Sequence, residues 1–352
     1  MCAAAVEFYL GANSKYGFHS LYEHFVNCDE GDFLWVIKGG PGCGKSSFMR
    51  KIANAASESG LDVERIRCSG DPSSLDGVYV PQKRLAFVDG TAPHVTEVKY
   101  PGAAGAYLDL GRYYDFDALR PKLDEIVSVN RRYKALYVRA YDCIAAANAV
   151  GSKNDPCLVG KREITLAQRR AQRFAVREFG KLREGNGSEK LRFLSAFSCE
   201  GYISNMDTAT ALCPRILSVD DGFGLGSAYL NVLREEAAVR NMDAIVCPHP
   251  VDPDRLEAIL LPQIGIACIT GDHDGAQGRH VRLDALVDRE KIRARRNRIR
   301  RSEKLKNGLL LEAQTLLQEA KQLHDELEAI YNPHVNFDGI YALAEEFKQK
   351  FF

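Results

Sequence analysis

One stretch constrains the fold more than any other. Residues 33–52 read F-L-W-V-I-K-G-G-P-G-C-G-K-S-S-F-M-R-K-I. Residues 33–37 are a continuous apolar run, the pattern of a parallel strand buried on both faces. A glycine-rich turn follows. Then Phe48, Met49, Ile52 and Ala56 fall at helical spacing, and Gly60 is placed to end the helix. Gly39, four residues, and Gly44-Lys45-Ser46 match G-x-x-x-x-G-K-[ST] in the strand–loop–helix context that gives the pattern meaning. The order predicts an α/β fold with this loop at the C-terminal edge of a parallel sheet.

The residue types match phosphate chemistry. Glycines let backbone N–H groups turn around phosphate oxygens without Cβ clashes, and the following helix directs its positive end at the same anion. The expected nucleotide-binding set is Gly39, Gly40, Pro41, Gly42, Cys43, Gly44, Lys45, Ser46 and Ser47. Lys45 would reach the β and γ phosphates, and the Ser46 hydroxyl would ligate Mg²⁺. Residues 85–89, L-A-F-V-D, read as an apolar strand ending in Asp89, the second metal-holding carboxylate. Thr91 and His94 follow as turn residues. Asp71, in the turn S-G-D-P, is a candidate catalytic residue that could orient a water or accept a proton; capping the turn is the plainer role.

The chain also repeats itself. Residues 71–90 and 252–271 share seven of twenty positions without a gap: the Asp, Pro, Leu, Pro, Gln, Ala and Gly. F-Y-L-G-A-N-S-K-Y-G-F lies over R-F-L-S-A-F-S-C-E-G-Y, and G-G-P-G-C-G-K-S-S over V-D-D-G-F-G-L-G-S. In that alignment Leu225 replaces Lys45, Gly226 replaces Ser46 and Thr270 replaces Asp89. Asp220 and Asp221 add negative charge where phosphate would sit. The second loop therefore reads as degenerate. Asp272 and Asp274 read as solvated loop carboxylates before they read as an alternative metal arrangement. The domains are expected at 1–185 and 186–352, divided near Gly185-Asn186-Gly187-Ser188, with residues 191–197 as a strand of either sheet.

Helices are expected over 117–149, 284–330 and 339–352, with Asn332-Pro333 ending the second. Residues 161–183 carry eight Lys/Arg against two Glu, and residues 289–306 ten against two. These read first as solvated helical faces, next as a lid over phosphates, and last as a nucleic-acid surface, because few aromatics interleave. Arg131, Arg132 and Arg139 are further arginine-finger candidates. Net charge is zero, so the molecule as a whole is no polyanion binder. No apolar run reaches membrane-spanning length, the N-terminus lacks a signal-peptide pattern, and ten scattered cysteines without a C-x-x-C pair read as reduced thiols of a cytoplasmic protein.

Over its whole length the chain resembles a bacterial family of ATP-binding proteins with tandem P-loop NTPase domains. The resemblance is carried by G-G-P-G-C-G-K-S-S-F-M-R-K-I, C-S-G-D-P-S-S-L-D-G-V-Y-V-P and L-A-F-V-D-G-T-A-P-H, and more weakly by H-D-E-L-E-A-I-Y followed by N-F-D. It implies three-layer α/β domains with parallel sheets and helical insertions, and it adds ATP as the nucleotide, where the residues alone specify only a nucleoside triphosphate. Family members often keep a phosphate loop in both halves; this sequence departs at Leu225 and Gly226. The expected function is a Mg²⁺-dependent ATPase with one N-terminal site. A small-molecule or nucleotide kinase, and a non-enzymatic ATP-gated interaction module, stay open beside it.

Overall fold

Runs that are apolar on both faces build several of the strands. The computed structural model describes residues 5–93, 95–151, 155–271 and 280–352, a mixed α/β protein with parallel-containing sheets. Two compact units divide the chain: Met1–Asp142, Ala196–Ile203 and Glu312–Phe352 in the first, Cys143–Ser195 and Ser204–Leu311 in the second. His94, Asp272 and Asp274 lie outside the described residues.

In the first unit, β1 (Ala5–Tyr9) leads into the hairpin β2 (Gly11–Ser14) and β3 (Gly17–Ser20). Then come β4 (Phe33–Lys38), α1 (Lys45–Glu58), β5 (Val63–Arg67), β6 (Leu75–Val80), β7 (Leu85–Asp89) and β8 (Gly105–Asp109). The sheet order is β1-β5-β6-β7-β4-β8. Neighbours pair parallel except at β6, which runs antiparallel between β5 and β7. Every residue of β7 is buried, which is why its sequence is uninterrupted Leu-Ala-Phe-Val before the terminal Asp. Short α2 (Phe116–Leu119) and long α3 (Leu123–Val150) follow.

The second unit contains α4 (Lys161–Glu178), β9 (Glu189–Leu191), α5 (Met206–Leu212), β12 (Arg215–Val219), α6 (Gly226–Val239), β13 (Ala244–Pro248), β14 (Leu256–Leu261) and β15 (Ile266–Thr270). A hairpin of β10 (Ser195–Ser198) and β11 (Gly201–Ser204) intervenes, with residues 196–203 in the first unit. The sheet order is β12-β15-β14-β13-β9, with β14 antiparallel to both neighbours. The expected strand over 191–197 is thus two strands: β9 ends at Leu191, and β10 begins at Ser195. Between them Arg192 is buried, its N–H donating to Val246 O. The chain ends with α7 (Arg289–Tyr331), which stops before Pro333 as expected, and α8 (Phe337–Phe351).

The second sheet repeats the first strand for strand, lacking only a partner for β8 among the described residues. The helix starts Lys45 and Gly226, and the strand starts Val63 and Ala244, Leu75 and Leu256, Leu85 and Ile266, are each 181 residues apart. Even the register shift after Ile66 recurs after Cys247.

The units do not divide at residue 185, because helices decide the boundary. α4 buries Ala167, Ala171, Phe174 and Ala175 in the core of the second unit, with Tyr229 and Leu230 of α6. α8 belongs to the first. Its Phe347 ring lies 5.0 Å from Trp35, 5.6 Å from Phe48 and 5.9 Å from Phe87, edge-on to each. The opposite face of that sheet, at β6, is covered by a loop: the Phe25 ring packs on Tyr79, and Tyr22 Oη donates to Asp76. Among the described residues all cysteines are free thiols, and no helix is long and apolar enough to cross a membrane.

Candidate nucleotide site

The loop between β4 and α1 opens onto a cavity of about 680 Å³ lined by all nine residues from Gly39 to Ser47. Gly42 (φ +67°) and Gly44 (φ +77°) sit in the left-handed region, where a Cβ is strained, and Gly44 is the N-cap of α1. The first-turn amides of α1 have no helical partner, so this end of the helix favours an anion.

Parallel pairing of β4 with β7 sets Ile37 beside Asp89, which delivers the Asp89 carboxylate to the loop. Lys45 Nζ lies 3.6 Å from Asp89 Oδ2 and donates to Gly39 O (3.0 Å) and Gly40 O (2.8 Å). Both side chains are nearly buried. Asp89 Oδ1 accepts from Thr91 N (2.8 Å) and Thr91 Oγ1 (2.5 Å), so Thr91 does more than turn the chain: it fixes one carboxylate oxygen and leaves the other toward Lys45. Ser46 Oγ accepts from the N–H of Leu75 at 2.9 Å. Cys43 packs inward, and burial raises its thiol pKa. Pro41 O accepts from Tyr114 Oη at 2.9 Å.

The other wall is helical. Asp71 lines the same cavity; its Oδ1 accepts from Ser73 N and Oγ, the turn-capping role, while its Oδ2 lies 3.4 Å from Lys321 Nζ. α3 contributes Asn130, Tyr133, Lys134 and Tyr137. Burial pushes the Tyr133 phenol up to about 12 and that of Tyr137 well above its usual value. α7 contributes Lys321, His324 and Glu328, and the Glu328 Oε1 atom accepts from Gly42 N at 3.3 Å. A loop amide suited to phosphate is held by the chain's own carboxylate. A Cβ on Gly42 would also collide with Asn332.

The second loop is built differently. Ser227 Oγ accepts from Leu256 N at 3.0 Å, the counterpart of the Ser46 bond. This corrects the sequence alignment by one residue: Ser227 matches Ser46, and Gly226 matches Lys45. The missing element is thus the lysine, while the hydroxyl is retained. A Cβ on Gly226 would lie 2.7 Å from Thr270 Cγ2 and 2.9 Å from Asp221 Oδ1, so the site excludes any longer side chain. Asp221 Oδ1 accepts from Gly226 N at 2.9 Å, and Arg255 Nη2 clamps both Asp221 oxygens at 2.7 and 2.9 Å. The backbone of Phe223 and Gly222 hydrogen-bonds to Asp284, whose pKa burial and neighbouring Asp220 nonetheless raise. Here the anions are internal. The second unit's hollow, lined by His249, Asp252 and Arg255, measures about 50 Å³ and excludes loop residues 220–227.

The structure therefore brings the whole loop, Asp89 and Asp71 to one cavity. Arg131, Arg132 and Arg139 do not line it; they are exposed on α3. The arginine that does is Arg50 of α1, its Nη2 donating to Ser73 O at 2.8 Å. Residues 161–183 and 289–306 contribute nothing to the lining. Sequence reasoning missed Arg50, Tyr133, Tyr137, Lys321, His324 and Glu328. Lys321, His324 and Glu328 at helical spacing were the available signal for a polar face on α7. Comparison with protein-family models, curated proteins and solved structures finds no match.

Proposed function

We propose that this is a tandem P-loop NTPase-like α/β protein with one working site, which binds ATP with Mg²⁺ and hydrolyses the β–γ phosphoanhydride. The observation that carries the reading is the convergence of Lys45, Ser46 and Asp89 on one 680 Å³ cavity at the mouth of α1. The repeated strand order and the 181-residue spacing support descent of both units from one ancestor by duplication.

The residues present fit the ligand. The cavity lies within the range of small-molecule sites, and the donor set is a lysine, a hydroxyl and a carboxylate. Ser46 Oγ and Asp89 Oδ2 would hold Mg²⁺, which supplies charge neutralisation on the phosphates. Lys45 would exchange its bonds to Gly39 O and Gly40 O for phosphate oxygens. Thr91 keeps Asp89 oriented through that exchange. The α1 terminus and Arg50 add positive potential where charge develops.

A kinase is the second reading, favoured by one observation. The cavity continues past the loop to Asp71, Lys134, Lys321 and His324, leaving space for a phosphoryl acceptor. Incubation with ATP and Mg²⁺, with and without a metabolite panel, separates the two: phosphate release alone supports hydrolysis, and transfer only with an acceptor supports the kinase. In either case Asp89→Asn should abolish Mg²⁺-dependent turnover while sparing most metal-free nucleotide binding. Unchanged Mg²⁺ dependence in that variant would remove Asp89 from the site.

A further inference from the structure

Net charge is zero, yet residues 289–306 hold ten Lys/Arg against two Glu. In the structure this segment is the first part of α7, within the second unit. Ile292 and Ile299 pack on the core of that unit and fix which way the helix faces. At 100° per residue, Arg289, Arg293, Arg296, Arg300 and Lys304 then form one stripe within about 80° of arc on one flank of the helix, beside the side that carries Ile292 and Ile299. All five are exposed. None forms an ion pair or hydrogen bond among the described residues. Of the other cations in the segment, Arg295 pairs with Asp155 at 3.1 Å and Lys306 with Glu303 at 3.8 Å, while exposed Arg298 and Arg301 are likewise unpaired among the described residues.

We infer that this stripe is a docking surface for double-stranded nucleic acid, which it grips by the phosphate backbone. Side chains three or four apart on a helix are neighbours at about 5–6 Å, and like charges so placed destabilise the helix. The stripe strings together four such repulsive pairs, a cost that a polyanion partner removes. Fifteen residues of rise span about 22 Å. That length of duplex, with one charge per about 1.7 Å of axis, offers more phosphates than the stripe has cations. No aromatic residue lies within 289–311, so bases have nothing to stack on, which favours a duplex backbone over a single strand.

The inference is independent of the nucleotide reading and is tested without ATP. Binding of the full chain to a fluorescent mixed-sequence duplex is followed by anisotropy across a salt series. Five phosphate contacts predict a log K against log salt slope of about −4.5, or roughly 500-fold weaker binding at 200 mM than at 50 mM salt. Replacing all five residues with Gln should bring the slope near zero, and Arg296→Gln alone should reduce its size by about 0.9. Replacing the four arginines with Lys should preserve it. Circular dichroism melting of each variant reports folding, and the Gln variant should melt no lower than the natural chain, because repulsion is relieved. Absence of binding at 50 mM salt, or a slope unaltered in the folded Gln variant, overturns the inference. So does binding to phosphatidylserine vesicles that duplex fails to displace.

Discussion

Lys45 is held by two carbonyls and faces a carboxylate, so its charge is neutralised within the loop before any ligand arrives. Two other cations of the cavity are already engaged: Arg50 donates to Ser73 O, and Lys321 pairs with Asp71 and Asp325. Charge-assisted hydrogen bonds are worth about 1.5–3 kcal/mol each. Lys45→Ala is therefore expected to weaken ATP binding by about 100-fold or more, read by isothermal titration. The natural chain should bind one equivalent, because Asp221 and Asp284 already occupy the second loop's amides. Two equivalents, or strong binding that survives Lys45→Ala, would mean that the second loop accepts nucleotide. The loop was legible in the sequence because its geometry is local: glycines, a lysine and a hydroxyl at fixed spacing. The capture of its counterpart by Asp221 was only half legible. The excess negative charge could be read off directly, but the true one-residue register, and the role of Arg255, depend on a hydrogen bond to β14.

At the scale of elements, α7 and α8 complete the site. Glu328 occupies the Gly42 amide, and its negative charge opposes phosphate at the same point. Glu328→Gln should therefore strengthen ATP binding by about 10-fold, the equivalent of roughly 1.4 kcal/mol; weaker binding in a titration would assign Glu328 to ligand or metal instead. α8 acts through packing. Phe347→Ala removes an aromatic ring set among Trp35, Phe48 and Phe87 and should cost about 3–5 kcal/mol in denaturant unfolding. A loss below about 1 kcal/mol would show that α8 is not a structural part of the first core. The helices themselves were legible from apolar spacing, to within a few residues. Their destinations were not, since an apolar stripe specifies that a face is buried and leaves the partner open.

At the scale of the whole molecule, the sequence suggests two successive halves, and the chain instead crosses between its units repeatedly. A fragment of residues 1–185 contains the intact loop yet lacks Glu328, Asn332, Phe337 and Phe347. It is expected to bind no ATP and to aggregate, whereas a natural-length chain carrying Lys45→Ala should remain folded; size-exclusion chromatography and circular dichroism distinguish the two. A soluble, ATP-binding fragment would overturn the assignment of α8 to the first core. The arrangement also has a consequence in time. During synthesis the ribosome delivers the first sheet hundreds of residues before α8, which covers its aromatic face. The nascent first unit must wait, with Trp35 and Phe87 uncovered, while the second is translated. Its final folding step comes only once α8 has left the exit tunnel, so chaperone demand should be greatest for chains stalled late, between the end of the second sheet and α8.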